Sequence, residues 1–432
     1  MKYLPIDKKL FIENRQRFER ELKPKSLAIF NSNDEMPRSA DGTFPFRQNS
    51  DLFYLSGIDQ EQTILILFPD SPVPAYKEVL FIRKTDETIA MWEGQKYSTE
   101  GAREVSGIKT VIWSDNFNAV FDLVMHYAQN IYLNLNEHDR FVTAVPYKDL
   151  RFANEIKSKF PLHSYERCAP IMAKLRAIKS PEEIKQIQTA IDITEKTFRR
   201  ILNFVKPGVA EYEIEAEIIH EFVRNRANGH AYYPIIASGS NACVLHYVRN
   251  NQVCKDGDLA LMDFGAEYAN YAADLTRTIP VNGKFTTRQR QVYEAVLRVM
   301  KAAKSMLVVG NTIEGYNKEV GQVMEQELIG LGLLNTEEVA KQVKDGTAWQ
   351  LYKKYFNHGA SHFLGLDVHD IGNRYEPMKA GMVFTCEPGI YISEEGLGIR
   401  IENDILITES GPVDLTANIP VEVDEIEALM GR

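Results

Sequence analysis

The chain has 432 residues, of which 44% are hydrophobic, and it carries a formal net charge of −10 at pH 7. This length suits two domains with sizeable cores, and the acidic balance argues against nucleic acid or an anionic membrane as a partner. The start of the chain lacks an apolar signal segment, and the sequence contains no 18-residue apolar run. Its four cysteines show no C-x-x-C spacing, so we expect a cytoplasmic protein with reduced thiols.

Residues 1–170 alternate strand-like and helical stretches, which predicts a small N-terminal α/β domain. Runs rich in apolar and β-branched residues are the candidate strands of this domain. These runs are 26–31, 63–68, 78–82, 110–113 and 130–135. We expect the domain to end near Pro170.

A second domain is predicted over residues 175–432, opening on a long helix. Ser180, Pro181 and Glu183 form a capping box with proline at the first helical position. Gly208 and Gly310 each follow one predicted long helix and precede another, and the residues around them resemble each other. This internal sequence similarity, which we call the internal echo, indicates two related halves that share a curved sheet with helices outside it. Two unrelated helical hairpins are the alternative.

Two aspartates lie in the segment LALMDFGAEYANYAADLTRTIPV, where two strand-like runs flank a turn. The pattern predicts a hairpin. Pairing of Tyr268 with Tyr271 would place Asp263 opposite Thr276 and diagonal to Asp274, with the two aspartate Cα atoms roughly 5–8 Å apart. Asp263 follows an apolar run, where a surface acid is out of place. We therefore interpret the pair as metal ligands, although two solvated acids remain the alternative for the pair alone.

Two glutamates farther along the chain repeat this arrangement. Glu387 ends the β-rich run MVFTC, and Glu402 shares a strand face with Arg400 because isoleucines alternate with both. Four carboxylates at one interior site repel each other unless cations neutralise them, and two divalent ions supply the matching charge. An inward-facing Arg400 would orient the carboxylates by charge-assisted hydrogen bonds; an ordinary exposed strand charge is the alternative.

Three of the nine histidines, His358, His362 and His369, cluster in the segment HGASHFLGLDVHD. The glycines of this segment favour a looped backbone over a helix, and the chain lacks the H-E-x-x-H motif of helical zinc sites. One imidazole with four carboxylates favours borderline-hard divalent ions, so manganese, cobalt and zinc are the candidates.

These strings resemble the pita-bread metallopeptidases, and above all their Xaa-Pro aminopeptidase (aminopeptidase P) branch, over about residues 175–432. The resemblance is carried by LMDFGAEYANYAADLTRTIPVNGKFT, HGASHFLGLDVHD, TCEPGIYI and GIRIENDILIT. It implies an α+β fold, in which a pita-bread catalytic domain with a curved antiparallel sheet follows the N-terminal α/β domain. It also implies two divalent metal ions, with manganese favoured. The implied ligands are Asp263, Asp274, His362, Glu387 and Glu402.

The same resemblance implies catalytic roles for residues around the metals. Glu387 would also relay the proton of a bridging hydroxide, and His246 would lie on the substrate side. His358 and His369 would border the pocket and stabilise the tetrahedral intermediate, while Tyr391 and Arg400 would support the ligands. The implied catalytic residues are His246, His358, His369, Glu387, Tyr391 and Arg400.

The choice of branch depends on two further features. PFRQNSDLFYLSGIDQEQTILILF resembles the extra N-terminal domain of the aminopeptidase P branch, which creatinases and prolidases share and methionine aminopeptidases lack. Prolidases usually read H-G-x-G-H where this chain has Ser361, and they often carry a long insertion where only six residues separate Tyr391 from Gly398. We therefore expect cleavage after the first residue of peptides with proline in second position. A Xaa-Pro dipeptidase is the alternative, and a non-catalytic peptide- or protein-binding module is a more distant one.

The expected partners follow from the same resemblance. They are peptides with penultimate proline, with no nucleic acid and no membrane, and the enzyme is expected to be a homodimer or homotetramer. Trp92 resembles an aromatic residue that a neighbouring subunit presents near the active-site mouth; a half-buried surface tryptophan is the alternative. Asn403 and Cys386 depart from the family pattern, and strand alternation predicts that both face away from the ions.

Overall fold

The computed structural model describes residues 3–345 and 350–431 of the chain. It divides into two compact units, Tyr3–Arg176 and the part that begins at Ala177. The boundary drawn from the sequence lies between residues 170 and 175.

The first unit contains a six-stranded mixed sheet and a separate two-stranded ribbon, β2–β3. Its strands are β1 (Ser26–Asn31), β2 (Pro37–Ser39), β3 (Gly42–Thr43), β4 (Ile64–Leu67), β5 (Glu78–Ile82), β6 (Thr110–Trp113), β7 (Asn130–Leu133) and β8 (Ser164–Arg167). Its helices are α1 (Lys8–Glu19), α2 (Ser50–Ser56), α3 (Glu87–Glu93), α4 (Thr99–Ser106), α5 (Phe117–Met125), α6 (Lys148–Lys159) and α7 (Ala169–Ala177), the last of which ends at the division. The strand order of the large sheet is β6-β5-β4-β1-β7-β8.

The candidate strands of the first unit are confirmed. All five runs predicted from the sequence form strands of the large sheet, because each supplies apolar residues to one shared core. The strand β8 was not predicted. Its four residues, SYER, are half-buried or exposed, so it lacks the apolar pattern by which strands are recognised.

Two pairs of long helices dominate the second unit. Its helices are α8 (Pro181–Phe204), α9 (Glu211–Arg224), α10 (Thr287–Met306), α11 (Ile313–Gly330), α12 (Thr336–Asp345) and α13 (Val423–Met430). The capping box predicted at Ser180 and Glu183 is present at the start of α8. α8 packs against α9 and α10 against α11, and each pair is joined through a glycine with a left-handed backbone, Gly208 (φ 93°) or Gly310 (φ 91°). The internal echo in the sequence therefore corresponds to a repeated helix–glycine–helix unit.

Short strands form several small sheets in the second unit. They are β9 (Gly229–His230), β10 (Ile235–Ser238), β11 (Leu259–Asp263), β12 (Ala266–Tyr268), β13 (Tyr271–Ala272), β14 (Thr276–Pro280), β15 (Val383–Cys386), β16 (Gly389–Ile392), β17 (Leu397–Arg400), β18 (Asn403–Thr408) and β19 (Gly411–Asp414). The sheets are β10-β11-β14, β13-β12-β9, β15-β18-β19 and β16-β17, with antiparallel pairing between the described strands. Among the described residues, no helix has the length and apolar character needed to cross a bilayer.

Candidate metal centre

The hairpin that carries the two aspartates has the predicted register. Tyr268 pairs with Tyr271, and Asp263 at the end of β11 lies opposite Thr276 at the start of β14. The two turn residues between β12 and β13 have φ values of 51° and 64°, as in a type I′ hairpin turn. A Cβ atom at Gly265 would lie 1.7 Å from the backbone oxygen of Ala273, so only glycine allows the two arms of the hairpin to approach this closely.

The two glutamates come from the second half of the unit. Glu387 directly follows β15, and Glu402 lies between β17 and β18. The backbone N–H of Glu402 donates to the oxygen of Thr276 at 3.1 Å, which joins the strands of the two halves. Asn403 and Cys386 face away from Glu402 and Glu387, as strand alternation predicts: Asn403 donates to Asp414, and the Cys386 sulfur lies 3.5 Å from the Tyr316 hydroxyl.

His362 faces the carboxylates with one ring nitrogen. Its Nε2 lies 3.4 Å from Asp274 Oδ2 and 3.7 Å from Glu387 Oε1. Its Nδ1 lies 3.0 Å from the backbone oxygen of Phe363, so this nitrogen carries the proton of the neutral ring and Nε2 keeps its lone pair. One possible ligand atom from each of Asp274, His362 and Glu402 lies within 4.8 Å of the others, which is a geometry that can hold a metal ion.

Asp263 is held from two sides. Arg400 Nη2 lies 2.6 Å from Asp263 Oδ2, and the Tyr232 hydroxyl lies 2.6 Å from Asp263 Oδ1 and 2.5 Å from Asp274 Oδ1. A phenol has one hydrogen to donate, so it can satisfy only one of these two carboxylates at a time. Two acids this close to one hydroxyl therefore need a further proton or a cation between them, which fits the proposed metal ligands.

Hydrogen bonds connect Arg400 with both ends of the site. Its Nε donates to Thr276 Oγ1 at 3.1 Å, and that hydroxyl donates to Glu402 Oε2 at 2.7 Å. Its Nη1 donates to the Tyr391 hydroxyl at 2.9 Å, and that hydroxyl lies 2.8 Å from His358 Nε2. One buried guanidinium thus contacts Asp263 directly and reaches Glu402 and His358 through one hydroxyl each.

The remaining predicted histidines lie near this network. The His369 ring is perpendicular to that of His362, with 4.4 Å between the ring centroids. His358 Nδ1 lies 3.7 Å from Glu387 Oε2. His246 is exposed on an irregular loop. Burial, followed by the Arg400 charge, lowers the pKa of His358 to about 3. His358 is therefore neutral near pH 7.

Burial raises the pKa values of the central carboxylates in the metal-free chain. Burial raises the pKa of Glu387 to about 7; the charges of His362 and Arg400 oppose this rise, and those of Asp274 and Asp263 add to it. The pKa of Asp274 is also raised, and that of Glu402 lies well above its usual range, again chiefly through burial. Carboxylates with raised pKa values are stabilised by added positive charge, which protons or divalent cations can supply, so the donor set fits a metal centre.

This titration predicts a pH dependence of the metal-free protein. The pKa of Glu387 is raised from 4.5 to about 7 on folding, so its stabilising contribution is complete below pH 4.5 and is lost as the pH rises through 7. We expect the melting temperature of the metal-free protein to fall between about pH 5 and about pH 8 relative to the metal-loaded protein. The melting temperature of metal-free Glu387→Gln, which lacks this titration, should fall less over the same pH range. Equal decreases in the two metal-free proteins would contradict the expectation.

Comparisons with known proteins agree with this geometry. Residues 185–409 match metallopeptidase family M24, and residues 11–132 match the aminopeptidase P N-terminal domain. The chain is 37% identical to a Xaa-Pro aminopeptidase of Haemophilus influenzae and 36% identical to that of Escherichia coli, with 98% of both partners covered in each case. It is also 30% identical to intermediate cleaving peptidase 55 of Saccharomyces cerevisiae, covering 97% of this chain and 83% of that protein.

Solved structures of aminopeptidase P from other organisms are also similar to this chain. The structure of E. coli aminopeptidase P with the inhibitor Pro-Leu superposes with a TM-score of 0.87 at 34% identity, over 99% of both chains. A candidate aminopeptidase P from Bacillus anthracis superposes with a TM-score of 0.90 at 35% identity, over 98% of both chains.

The chain belongs to metallopeptidase family M24. These comparisons confirm the predicted fold, an N-terminal α/β domain followed by a pita-bread catalytic domain. The predicted class of enzyme, a Xaa-Pro aminopeptidase that depends on divalent metal ions, is confirmed as well.

Sequence reasoning missed Tyr232, whose hydroxyl contacts both aspartates. It lies in the stretch GHAYYPI, which has no periodic pattern of its own. Its position follows from the pairing of β10 with β11, in which Ile235 lies opposite Asp263. That pairing is long-range, and no local signal in the sequence indicates it.

Proposed function

We propose that this enzyme releases the first residue from peptides with proline in second position, at a centre of two divalent metal ions. The observation that carries the proposal is the convergence of one imidazole and four carboxylates whose charges two divalent ions would neutralise. When bound, such ions would polarise a peptide carbonyl and lower the pKa of a water molecule. The proposed ligands are Asp263, Asp274, His362, Glu387 and Glu402.

Manganese is the proposed metal, with cobalt and zinc as the competing outcomes of a test. The donor set is rich in oxygen and contains a single imidazole, which suits a harder ion than the thiolate or multi-imidazole sets that select zinc or copper. Metal analysis of the purified protein, with reactivation of the metal-free protein by each ion in turn, would distinguish the three.

Glu387 is proposed to move the proton. Its carboxylate lies 3.7 Å from a ring nitrogen of His358 and of His362, and burial raises its pKa to about 7 in the metal-free chain, which supports a role in taking up and releasing a proton. Glu387 would take a proton from the attacking water and deliver it to the departing proline nitrogen. That nitrogen must gain a proton as the C–N bond breaks in order to leave as a neutral amine, and Glu387 is the proposed donor.

The surrounding histidines are proposed to hold the carbonyl side of the substrate. His246, His358 and His369 lie around the centre, and neutral His358 is oriented by the Tyr391 hydroxyl. Groups fixed in advance around a developing negative charge stabilise it without reorganisation. Tyr391 and Arg400 would act by holding these groups and Asp263 in place.

Assembly, location and domain limits complete the proposal. Trp92 and Met91 on α3 are 78% and 74% exposed, and large apolar side chains at a surface suit a subunit contact, so we propose a homodimer or homotetramer. Peptides with penultimate proline are the proposed partners, without nucleic acid or membrane. The four cysteines are free, which suits the reducing cytoplasm. Domains are proposed over residues 1–170 and 175–432.

A comparison of three peptides tests the proposed activity. The strands β16 and β17 are joined by only four residues, the short turn Ser393–Glu395 and Gly396, so the described chain has no long insertion there that would close the product side. With manganese, we expect a Xaa-Pro-Yaa tripeptide to be cleaved faster than a Xaa-Pro dipeptide, and a Xaa-Ala-Yaa tripeptide to be cleaved poorly. Cleavage of the dipeptide alone would identify a dipeptidase, and no turnover of any peptide would indicate a binding module.

A further inference from the structure

A buried carboxylate underlies the loop that carries His246. Glu211, the first residue of α9, is 0% exposed and accepts five hydrogen bonds from neutral donors. Its Oε1 accepts from the backbone N–H of Ser238 at 2.8 Å, the Ser238 hydroxyl at 2.7 Å and Asn241 Nδ2 at 3.4 Å. Its Oε2 accepts from the Tyr247 hydroxyl at 2.8 Å and the backbone N–H of Gln252 at 2.9 Å. One side chain therefore anchors both ends of the segment 238–252.

The segment between these anchors has little regular structure of its own. After a short 3₁₀ turn, Gly239–Cys243, residues 244–251 form neither helix nor strand. A second anchor lies near its end, where Asn250 donates to Glu215 on α9 at 2.9 Å and accepts from the backbone N–H of Ile236. Because no backbone ladder fixes this loop, the position of His246 depends on these side-chain contacts.

Tyr247 links the buried carboxylate to the centre. His246 is exposed, whereas the next residue, Tyr247, is buried in an apolar cluster with Ala242, Leu261 and Tyr391. The hydroxyl of Tyr391 in turn lies 2.8 Å from His358 Nε2. The ring of Tyr247 therefore packs beside the site while its hydroxyl is held by Glu211 from the other side.

A carboxylate at position 211 has a chemical advantage over an amide. Ionised glutamate only accepts hydrogen bonds, so both of its oxygens can serve all five donors. A glutamine would turn its N–H groups toward the donors of one oxygen, either Ser238 or Tyr247 with Gln252. The amino-terminal end of α9 also favours the negative charge.

We infer that Glu211 and Tyr247 are positioning residues for His246, holding its loop at the substrate side of the centre. This inference rests on the proposed function, which gives His246 its role there. Loss of the Tyr247 hydroxyl would leave the loop attached at its other anchors but free to shift near His246, and displacements of about 1 Å at an active site reduce rates strongly.

A double-mutant cycle tests this inference in the manganese-loaded enzyme. We expect Tyr247→Phe to lower kcat/KM for a Xaa-Pro-Yaa tripeptide about tenfold, and to affect the same parameter, kcat or KM, that His246→Ala affects. In the His246→Ala background, Tyr247→Phe should lower kcat/KM by less than about twofold, because the imidazole that Tyr247 positions is absent. If Tyr247→Phe lowers kcat/KM by the same factor in both backgrounds, or leaves kcat/KM unchanged in both, the inference is overturned.

Controls separate this outcome from a general loss of structure. Tyr293→Phe removes another hydrogen bond of a buried tyrosine in the same unit, the one to the Val421 oxygen at 2.8 Å, and should change kcat/KM less than about twofold in both backgrounds. Glu211→Gln should repeat the effect of Tyr247→Phe if it folds, as judged by melting temperature and metal content. Failure of the proposed function would show in the His246→Ala single variant, whereas failure of the inference shows only in the cycle.

Discussion

Glu387→Gln is expected to lower kcat at least about a thousandfold at saturating manganese, within the range attributed to general acid–base groups. The substitution keeps the shape of the side chain but removes its ability to take up and return a proton. It also removes one negative charge from a centre that holds three further carboxylates near His362. We therefore expect metal content to fall as well, which makes saturation with the ion necessary before kcat is compared.

The control for this prediction is another buried glutamate of the same unit. Glu183, which is 1% exposed and lies in the capping box of α8, should tolerate glutamine with less than about tenfold loss of kcat, because its role is structural. Steady-state kinetics and metal analysis by mass spectrometry provide the two measurements. A Glu387→Gln enzyme that keeps full metal content and turns over within tenfold of the wild type would exclude Glu387 as the proton carrier.

Local patterns explain how much of this fold could be predicted. The register of the hairpin from Asp263 to Thr276 depends on a two-residue turn and on strand alternation, and both operate over a few residues. The capping box at Ser180 and the five strands of the first unit are recognised in the same way. In each case the sequence signal and the structural cause lie in one segment of the chain.

Contacts between distant segments explain what could not be predicted. Tyr232 reaches both aspartates only because β10 pairs with β11, and Glu402 reaches Thr276 only because β17 lies beside β14. No local sequence pattern indicates either of these two contacts. The anchoring of the His246 loop by Glu211 is of the same kind, since Glu211 precedes the residues it anchors by more than twenty positions in the chain.

A buried ion pair is a further contact between distant segments that no local sequence pattern indicates. Lys179 Nζ lies 3.1 Å from Asp370 Oδ2, and both side chains are 1% exposed. A Cβ atom at Gly365 would lie 2.1 Å from that same oxygen, so the pair fills the space beside this glycine. The backbone oxygen of Gly365 accepts from Ala272 of the aspartate hairpin, and Asp370 follows His369. The pair therefore supports the segment that carries His362 and His369.

Lys179→Ala should lower the free energy of unfolding of the second unit by about 3–5 kcal/mol, because removing one partner of a buried ion pair is strongly destabilising. The double variant Lys179→Met with Asp370→Leu removes both charges, and similar replacements of buried pairs by apolar residues are often neutral. We expect the double variant to recover most of the free energy of unfolding that Lys179→Ala loses. This contrast distinguishes the loss of one partner of a buried ion pair from a simple loss of packing, since a packing defect would be at least as large in the double variant.

Hydrogen exchange followed by mass spectrometry is the suitable measurement, because a chain of two units can unfold in more than one step. Faster exchange should be concentrated in residues 177–431, and most of all in the segment 362–371. As a matched control, Lys185→Ala removes a lysine from an exposed i,i+3 pair with Glu182, and such pairs contribute about 1 kcal/mol or less. Equal effects of Lys179→Ala and Lys185→Ala would show that the buried pair has no special role, and the segment would then be held by its backbone contacts alone.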